Sequence, residues 1–259
     1  MVNAGIYDLL VNGLSAPMGI DKAQPVFSWK MQSSQRGAMQ SAYCITVSDE
    51  NGTCVWNTGW IESDRSVGIR YQGKTLQSAA IYRVTVKIKD EAGLELPAAE
   101  TTFETGFFAE DPLFPAQWIT IDQQKNAENL PIYRKSFSVG NTAKIKKARL
   151  YTSALGVYES YLNGQRVGRV SENGQLQFEE LKPGYTQMED RKFYSTYDVT
   201  GLLQENNALN AVVTTGWWNG NAVQYMMPEH LIFRENAYLA KLVITYEDGS
   251  CEEICTDTH

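Results

Sequence analysis

Histidine is scarce in this chain of 259 residues, which contains only His230 and His259. No CxxC pair is present, so the usual ligands and spacing of a structural zinc site are missing. Serine hydrolase chemistry is excluded on similar grounds, because there is no Gly-x-Ser-x-Gly motif and no histidine near a plausible nucleophile. A Walker loop and a dinucleotide fingerprint are also absent. The sequence therefore predicts no metal site, no cofactor and no catalytic motif of these classes.

Cysteine is infrequent, and its spacing does not favour disulfide bonds. Two of the four cysteines, Cys251 and Cys255, lie four residues apart in a predicted strand. That spacing puts them on one face at about 13 Å, which is too far apart to bridge. We therefore predict four free thiols, at Cys44, Cys54, Cys251 and Cys255.

Long hydrophobic runs and an excess of basic residues are both missing. No apolar run approaches the length of a transmembrane helix, and the first residues lack the basic and apolar blocks of a secretory signal. The 30 acidic residues outnumber the 23 basic ones, which gives a formal charge of −7. Because nucleic-acid affinity depends largely on basic groups that displace counterions, neither nucleic acid nor membrane is an expected partner. The compartment stays open, between cytoplasmic and periplasmic or secreted.

The pattern that is present has a period of two residues. In residues 81–90, apolar side chains at every second position from Tyr82 to Ile88 alternate with polar ones, as in a half-buried antiparallel strand. Similar alternation occurs in residues 43–47 and 238–246. Asn-Gly and Asp-Gly turn signals separate such runs, and no long helix is indicated. We predict an all-β fold with two β-sandwich domains.

The first predicted domain, residues 1–107, suits an immunoglobulin or fibronectin type III-like sandwich of about seven strands. Trp29 supplies the buried aromatic residue of an early strand. Tyr82, six residues after Leu76, suits a tyrosine corner, in which its hydroxyl bonds to upstream backbone; the alternative is a plain core aromatic residue. The predicted strands are near residues 6–11, 25–31, 41–48, 53–57, 66–71, 80–89 and 99–105.

The second predicted domain, residues 117–259, suits a jelly-roll, galactose-binding-like sandwich. It follows a linker, residues 108–116, whose phenylalanines indicate packing between the domains. Two stretches, residues 172–187 and 216–229, are long for connections, and long loops on a rigid sandwich commonly carry binding. The predicted strands are residues 117–121, 131–139, 145–153, 156–163, 165–170, 192–198, 207–215, 231–235, 237–247 and 250–255.

Nine short motifs occur in a characteristic order. Those of the second domain are ARLYTSALGVYE (148–159), YLNGQRVG (161–168), PGYT (183–186), YDVTGLL (197–203) and GWWNG (216–220). Those of the first domain are PMGID (17–21), PVFSW (25–29), WNTG (56–59) and FETG (103–106). In this order and spacing they resemble the N-terminal domain of bacterial α-L-rhamnosidases, glycoside hydrolase family 78, and the fibronectin-like module that precedes it. The resemblance covers nearly the whole chain.

The resemblance implies a parent enzyme that hydrolyses terminal α-L-rhamnosides with inversion, using acidic residues of a helical α/α barrel that would follow these domains. That barrel has no counterpart in this sequence. The acidic doublets at residues 179–180, 189–190 and 252–253 are expected to be solvated charges, because adjacent strand residues point to opposite faces and cannot form a facing acid–base pair. We expect this chain alone to be non-catalytic.

The sugar-binding candidates are aromatic and amide residues of the long loops. Trp217, Trp218 and Asn219 lie in the motif GWWNGN, and Tyr185 and Tyr225 are further candidates. An exposed aromatic ring stacks on the apolar face of a sugar, while an amide bonds its hydroxyls. The alternative is that the two tryptophans point in opposite directions, one into the core and the other towards the absent barrel.

We interpret the chain as an accessory segment that supports the catalytic domain of an α-L-rhamnosidase and helps to recognise a rhamnose-containing glycan. Three alternatives stay open: a free-standing carbohydrate-binding protein, an adhesion or scaffold fragment, and a fragment of another glycosidase such as a β-galactosidase.

Overall fold

Almost all regular structure in this chain is β-strand. The computed structural model describes residues 4–108, 116–122, 130–171, 173–187, 190–216, 218 and 235–257. Within these ranges the only helical elements are the 3-10 turns Thr142–Lys144 and Thr200–Leu202. The same ranges contain no helix long and apolar enough to cross a membrane. The predicted all-β fold is confirmed.

The chain divides into two units, Met1–Leu113 and Phe114–His259, each with its own hydrophobic core. The domain limits and packed linker expected from the sequence stay a prediction, because residues 109–115 lie outside the described residues.

In its described residues, the first unit has eight strands: β1 (Gly5–Val11), β2 (Val26–Gln32), β3 (Gln40–Asp49), β4 (Cys54–Asn57), β5 (Ile61–Glu62), β6 (Ile69–Arg70), β7 (Ile81–Asp90) and β8 (Ala99–Glu104). One antiparallel sheet has the order β1-β2-β6. The other has the order β4-β3-β7-β8, and β5 also pairs with β3. The result is a two-layer sandwich.

The core of the first unit follows the period-two pattern of its sequence. Every second side chain of β7 from Tyr82 to Ile88 is buried. Trp29 of β2 is also buried, and its indole N–H donates to Oε1 of Gln40 at 2.9 Å. The Tyr82 hydroxyl accepts a hydrogen bond from the backbone N–H of Gln77 at 2.8 Å, which confirms the tyrosine corner.

In its described residues, the second unit has ten strands: β9 (Ile132–Ser138), β10 (Ile145–Leu155), β11 (Val157–Leu162), β12 (Gln165–Arg166), β13 (Arg169–Val170), β14 (Leu176–Gln177), β15 (Ser195–Asp198), β16 (Asn206–Thr214), β17 (Ala237–Tyr246) and β18 (Cys251–Cys255). Its two main antiparallel sheets have the orders β15-β10-β17-β18 and β12-β11-β16-β9. A small hairpin, β13-β14, stands beside them.

The core of the second unit contains hydroxyl pairs as well as apolar side chains. The Thr152 hydroxyl lies 2.5 Å from the Tyr158 hydroxyl, and the Ser160 hydroxyl lies 2.8 Å from that of Tyr238. All four residues are buried. Burial raises the pKa of both tyrosines above the ordinary value, so they stay neutral donors and acceptors at physiological pH. These bonds satisfy polar groups that would otherwise be costly between the two sheets.

The β11–β12 hairpin has the turn expected from its sequence. Asn163 and Gly164 have φ angles of 54° and 80°. Positive φ at both central positions defines the type I′ turn, which matches the twist of the flanking strands. The four cysteines are free thiols, as predicted.

Two of the strands predicted for the second unit are not continuous strands in the structure. Residues 117–121 form only an isolated bridge, between Ile119 and Tyr238. The predicted strand 165–170 divides into β12 and β13, because at Gly168 a Cβ atom would lie 2.4 Å from the Gln177 carbonyl oxygen. That close approach of backbone interrupts the strand. The strand predicted at residues 231–235 falls almost wholly outside the described residues.

Candidate functional site at one end of the second unit

The two loop segments singled out in the sequence both contact the same end of the second sandwich, the first through Lys182 and the second through Gly216. Here β10 turns into β11 at Gly156, and β16 ends at Thr214. The Tyr158 N–H donates to the Lys182 carbonyl at 3.1 Å, and this hydrogen bond joins the first segment to β11. Gly216 packs so closely on Val157 that a Cβ atom added to Gly216 would lie 2.2 Å from Val157 Cγ2. This contact joins the start of the second segment to β11. We call this region the loop end.

Tyr185 is the most exposed of the predicted binding residues that the structure describes. Its side chain is 68% exposed. It follows a turn in which the Gly184 N–H donates to the Leu181 carbonyl at 2.9 Å. The ring of Phe193 lies beside this turn, 3.9 Å from where a Cβ on Gly184 would be. Leu181 of this turn and Phe193 beside it are exposed apolar residues, as is Tyr185.

Trp218 is held by the backbone. Its indole N–H donates to the Glu235 carbonyl at 3.0 Å, and its side chain is partly buried. Trp217, Asn219 and Tyr225 lie outside the described residues. The structure thus places Tyr185 and Trp218 at the same end of the sandwich, and their sugar-binding role stays a prediction.

Lys182, which sequence analysis did not single out, anchors the Tyr185 segment. The residue is only 3% exposed. Its Nζ lies 5.2 Å from the ring centre of Tyr158 and 5.3 Å from that of Tyr197, within the range of cation–π attraction. Glu159 Oε2 lies 3.1 Å from the same Nζ and supplies the opposite charge. A lysine in a loop is usually solvated, so composition and spacing gave no signal for this burial.

Glu159 is shared between two cations. Arg166 approaches it through two nitrogens, Nε at 2.9 Å and Nη2 at 2.5 Å. Partial burial favours the neutral acid, yet the hydrogen bonds from Arg166 and the charge of Lys182 outweigh it and lower the pKa of Glu159. The bidentate geometry is the strong form of the arginine–carboxylate pair. Glu159 is therefore ionised at neutral pH and fixes both cations.

A second carboxylate extends this cluster. The Tyr197 hydroxyl donates to Glu179 Oε2 at 2.9 Å, and Arg169 pairs with Glu179 Oε1 at 3.1 Å. Burial, followed by the neighbouring Tyr158, raises the pKa of Tyr197 far above its ordinary range. The Tyr197 phenol therefore stays protonated at neutral pH and acts as a hydrogen-bond donor to Glu179.

Three acidic residues of the doublets noted in the sequence have bonded partners. Glu179 is bonded as above, Glu252 accepts from the Tyr246 hydroxyl at 2.8 Å, and Glu253 pairs with the nearly buried Lys241 at 2.7 Å. These side chains stay partly exposed to solvent, and neighbouring segments also supply partners that the sequence pattern does not reveal. No group of three or more His, Cys, Asp or Glu side chains suited to a metal occurs in the described ranges.

Two protein families match this chain, one in each unit. The family described as Rha78A-like, N-terminal immunoglobulin domain matches residues 6–109. The family described as alpha-L-rhamnosidase N-terminal domain matches residues 143–259. The second match contains the whole loop end described above.

Relatives that align with nearly the whole of this chain are also α-L-rhamnosidases. An alpha-L-rhamnosidase of Formosa agariphila is 28% identical over 96% of this chain and 28% of its own length. The structure of an α-L-rhamnosidase from Dictyoglumus thermophilum is 30% identical, with a TM-score of 0.77 over 97% of this chain and 29% of that one. The Streptomyces avermitilis α-L-rhamnosidase complexed with L-rhamnose has a TM-score of 0.79 at 20% identity, over 98% and 40%, and shows the shared fold.

This chain thus spans under a third of the Formosa and Dictyoglumus relatives. Both relatives align with nearly the whole of this chain, and the two family matches together account for most of its residues. The chain belongs to the alpha-L-rhamnosidase family and matches the N-terminal domains of that family.

Proposed function

We propose that this chain is a non-catalytic accessory part of an α-L-rhamnosidase, which supports the catalytic domain and contributes to recognition of rhamnose-containing glycans. The family matches favour this parentage over a β-galactosidase.

The observation that carries the supporting role is a concentration of exposed apolar side chains near the loop end. We call it the apolar stretch, which consists of residues 170–171, 173–187 and 190–193. Exposed large apolar groups at this density mark interaction surfaces in soluble proteins. The catalytic domain of the same parent polypeptide is the proposed occupant, because the relatives of this chain are far longer rhamnosidases. The side chains concerned are Val170, Leu176, Phe178, Leu181, Tyr185 and Phe193.

A hybrid enzyme tests the supporting role. This chain replaces the N-terminal region of the Formosa relative, and Leu181→Asp with Tyr185→Asp is introduced into the hybrid. We expect the double substitution to lower the thermal stability of the hybrid and its release of rhamnose, because charge at a buried contact is strongly unfavourable. Leu94→Asp, on an exposed residue of the first unit, is the matched control. Equal behaviour of the two variants would refute docking through this stretch.

The isolated chain tests the absence of catalysis. We expect no release of the aryl group from an aryl α-L-rhamnoside by the pure protein. Measurable turnover that survives repurification would contradict the non-catalytic assignment.

A sugar-binding role is the second candidate, favoured by the exposure of Tyr185. It includes the candidates Trp217, Asn219 and Tyr225, which lie outside the described residues. Titration calorimetry with rhamnose, repeated on Tyr185→Ala and Trp218→Ala, distinguishes the two roles. Binding that both substitutions abolish supports recognition by the loop end. If titration of the unaltered chain releases no heat of binding, Tyr185 is assigned to the docking surface of the apolar stretch and not to sugar recognition.

A further inference from the structure

The outer face of the β12-β11-β16-β9 sheet lies away from the core and carries polar side chains. The pairing registers place Arg166, Tyr161, Asn210 and Arg134 opposite one another in one row across the four strands. In the neighbouring position along the strands, Ser136 faces Ala208. The small side chains of this second position leave room above the sheet.

That room is a groove of roughly 380 Å³ at the Asn206 end of β16. Arg134 and Ser136 lie on one side, with Ala208 in the lining and Asn163 and Asn206 on the other. We call it the β9–β16 groove. The groove is open to solvent and lined mainly by polar side chains, so it suits a polar ligand better than an apolar one.

One side of the β9–β16 groove is rigid. The Asn163 amide donates to the Leu202 carbonyl and to Asn207 Oδ1, both at 2.8 Å, and its own Oδ1 accepts from the Ala208 N–H at 2.9 Å. The Ser138 hydroxyl donates to Asn206 Oδ1 at 2.9 Å. These bonds fix the amides before any ligand arrives, which lowers the entropic cost of binding.

The other side keeps its hydrogen-bonding capacity. Among the residues that the structure describes, the guanidinium of Arg134 and the hydroxyl of Ser136 make no hydrogen bond or ion pair, and both residues are exposed. Glu159, two residues before Tyr161 on β11, is already held by Arg166 and Lys182. A free guanidinium therefore faces a polar groove in a chain whose formal charge is −7.

We propose that the β9–β16 groove binds an acidic saccharide, with a uronate carboxylate on Arg134 and sugar hydroxyls on Ser136 and Asn206. The planar fork of arginine matches a carboxylate through two parallel N–H donors. Serine hydroxyls and amides pair with sugar hydroxyls in either direction. This site is separate from the loop end, so its loss leaves the proposed accessory role intact.

Titration of the full chain with trigalacturonate, followed by backbone amide chemical shifts, tests the site. We expect shifts at β9 and at the Asn206 end of β16. Arg134→Gln weakens binding by at least about tenfold, the loss expected for a charge-assisted pair. Ser136→Tyr abolishes binding by filling the groove while keeping the charge. Raising the salt from about 20 mM to about 200 mM weakens binding as well.

Two controls separate a site from general attraction. Arg70→Gln removes an exposed arginine of the first unit and leaves affinity unchanged. Maltotriose, which is neutral, binds at least about tenfold more weakly than the uronate. The proposal is overturned if trigalacturonate causes no shifts, if Arg134→Gln or Ser136→Tyr binds as well as the unaltered chain, if Arg70→Gln is equally impaired, or if maltotriose binds as tightly. Amide spectra of each variant verify its fold.

Discussion

At the scale of single residues, Lys182 is the position on which the loop end most depends. Its ammonium is buried between Tyr158 and Tyr197 and is balanced by Glu159. Removing one partner of a buried ion pair leaves the other poorly compensated. Here Arg166 continues to hold Glu159, so the loss is moderated.

Lys182→Met keeps the length of the side chain and removes its charge. We expect the free energy of unfolding of the second unit to fall by about 1–3 kcal/mol, because the cation–π contacts and the ion pair are lost together. Urea unfolding measures the change. Lys192→Met, at an exposed position of the same unit, is the control and stays within about 0.5 kcal/mol of the unaltered chain. Equal stability of the two variants would show that the buried ammonium contributes little.

The lowered pKa of Glu159 predicts a specific dependence on pH. A carboxylate whose pKa is depressed in the folded state stabilises that state fully above its unfolded pKa, about 4.3. The stabilisation is lost as pH falls through the folded pKa. We therefore expect Glu159→Gln to be less stable than the unaltered chain at pH 7 and to lose stability less steeply below about pH 4.3. Unfolding at several pH values measures both slopes, with the exposed Glu247→Gln as control. Parallel slopes would disprove the linkage.

At the scale of elements, the corner between β10 and β11 has little freedom. Gly156 has a φ of +134°, and a Cβ atom there would lie 2.3 Å from the Thr214 carbonyl oxygen. Both the backbone conformation and the space exclude a side chain. The corner positions Tyr158 and hence the segment that follows Lys182.

Gly156→Ala is expected to destabilise the second unit by about 2–4 kcal/mol, from backbone strain together with displacement of β16. Gly201→Ala, where no atom lies within 4 Å of the added Cβ, is the matched control and has little effect. Thermal unfolding of the two variants gives the comparison. A Gly156→Ala protein with unchanged stability would mean that β16 moves away at little cost.

The long strands could be predicted from the sequence, whereas two of the shortest, β5 and β14, could not. β7 and β17 are ten residues each, long enough for period-two alternation to be visible. β5 and β14 have two residues each, and no periodicity exists at that length. The placement of Tyr185 was predicted only as a loop residue. Its anchor, Lys182, depends on rings of β11 and β15 that are distant in sequence and show no shared local pattern.

At the scale of the whole molecule, the two cores are formed by separate sets of residues. Ile45 lies fully buried in the first and Leu150 in the second. Each set fills the space between the two main sheets of its own unit, so we expect each unit to unfold as an independent cooperative domain.

Ile45→Ala and Leu150→Ala test this independence. Each is expected to cost about 2–5 kcal/mol in its own unit, since a cavity replaces buried methyl groups. Calorimetry of the full chain is expected to show that each substitution lowers a different one of two transitions. Val67→Ala and Val170→Ala, at exposed positions, are the controls. A single transition lowered equally by both core substitutions would show that the units unfold together.

Strand β16 separates the loop end from the β9–β16 groove. The groove lies beside Asn206 and the loop end begins at Thr214, and these are the first and last residues of the strand. At a rise of about 3.3 Å per residue, this spacing is about 26 Å. A monosaccharide is too small to bridge such a distance, so competition between two small sugars would point to a single shared locus. An oligomer long enough to reach both would gain avidity, and its binding would strengthen abruptly once its length matched the strand.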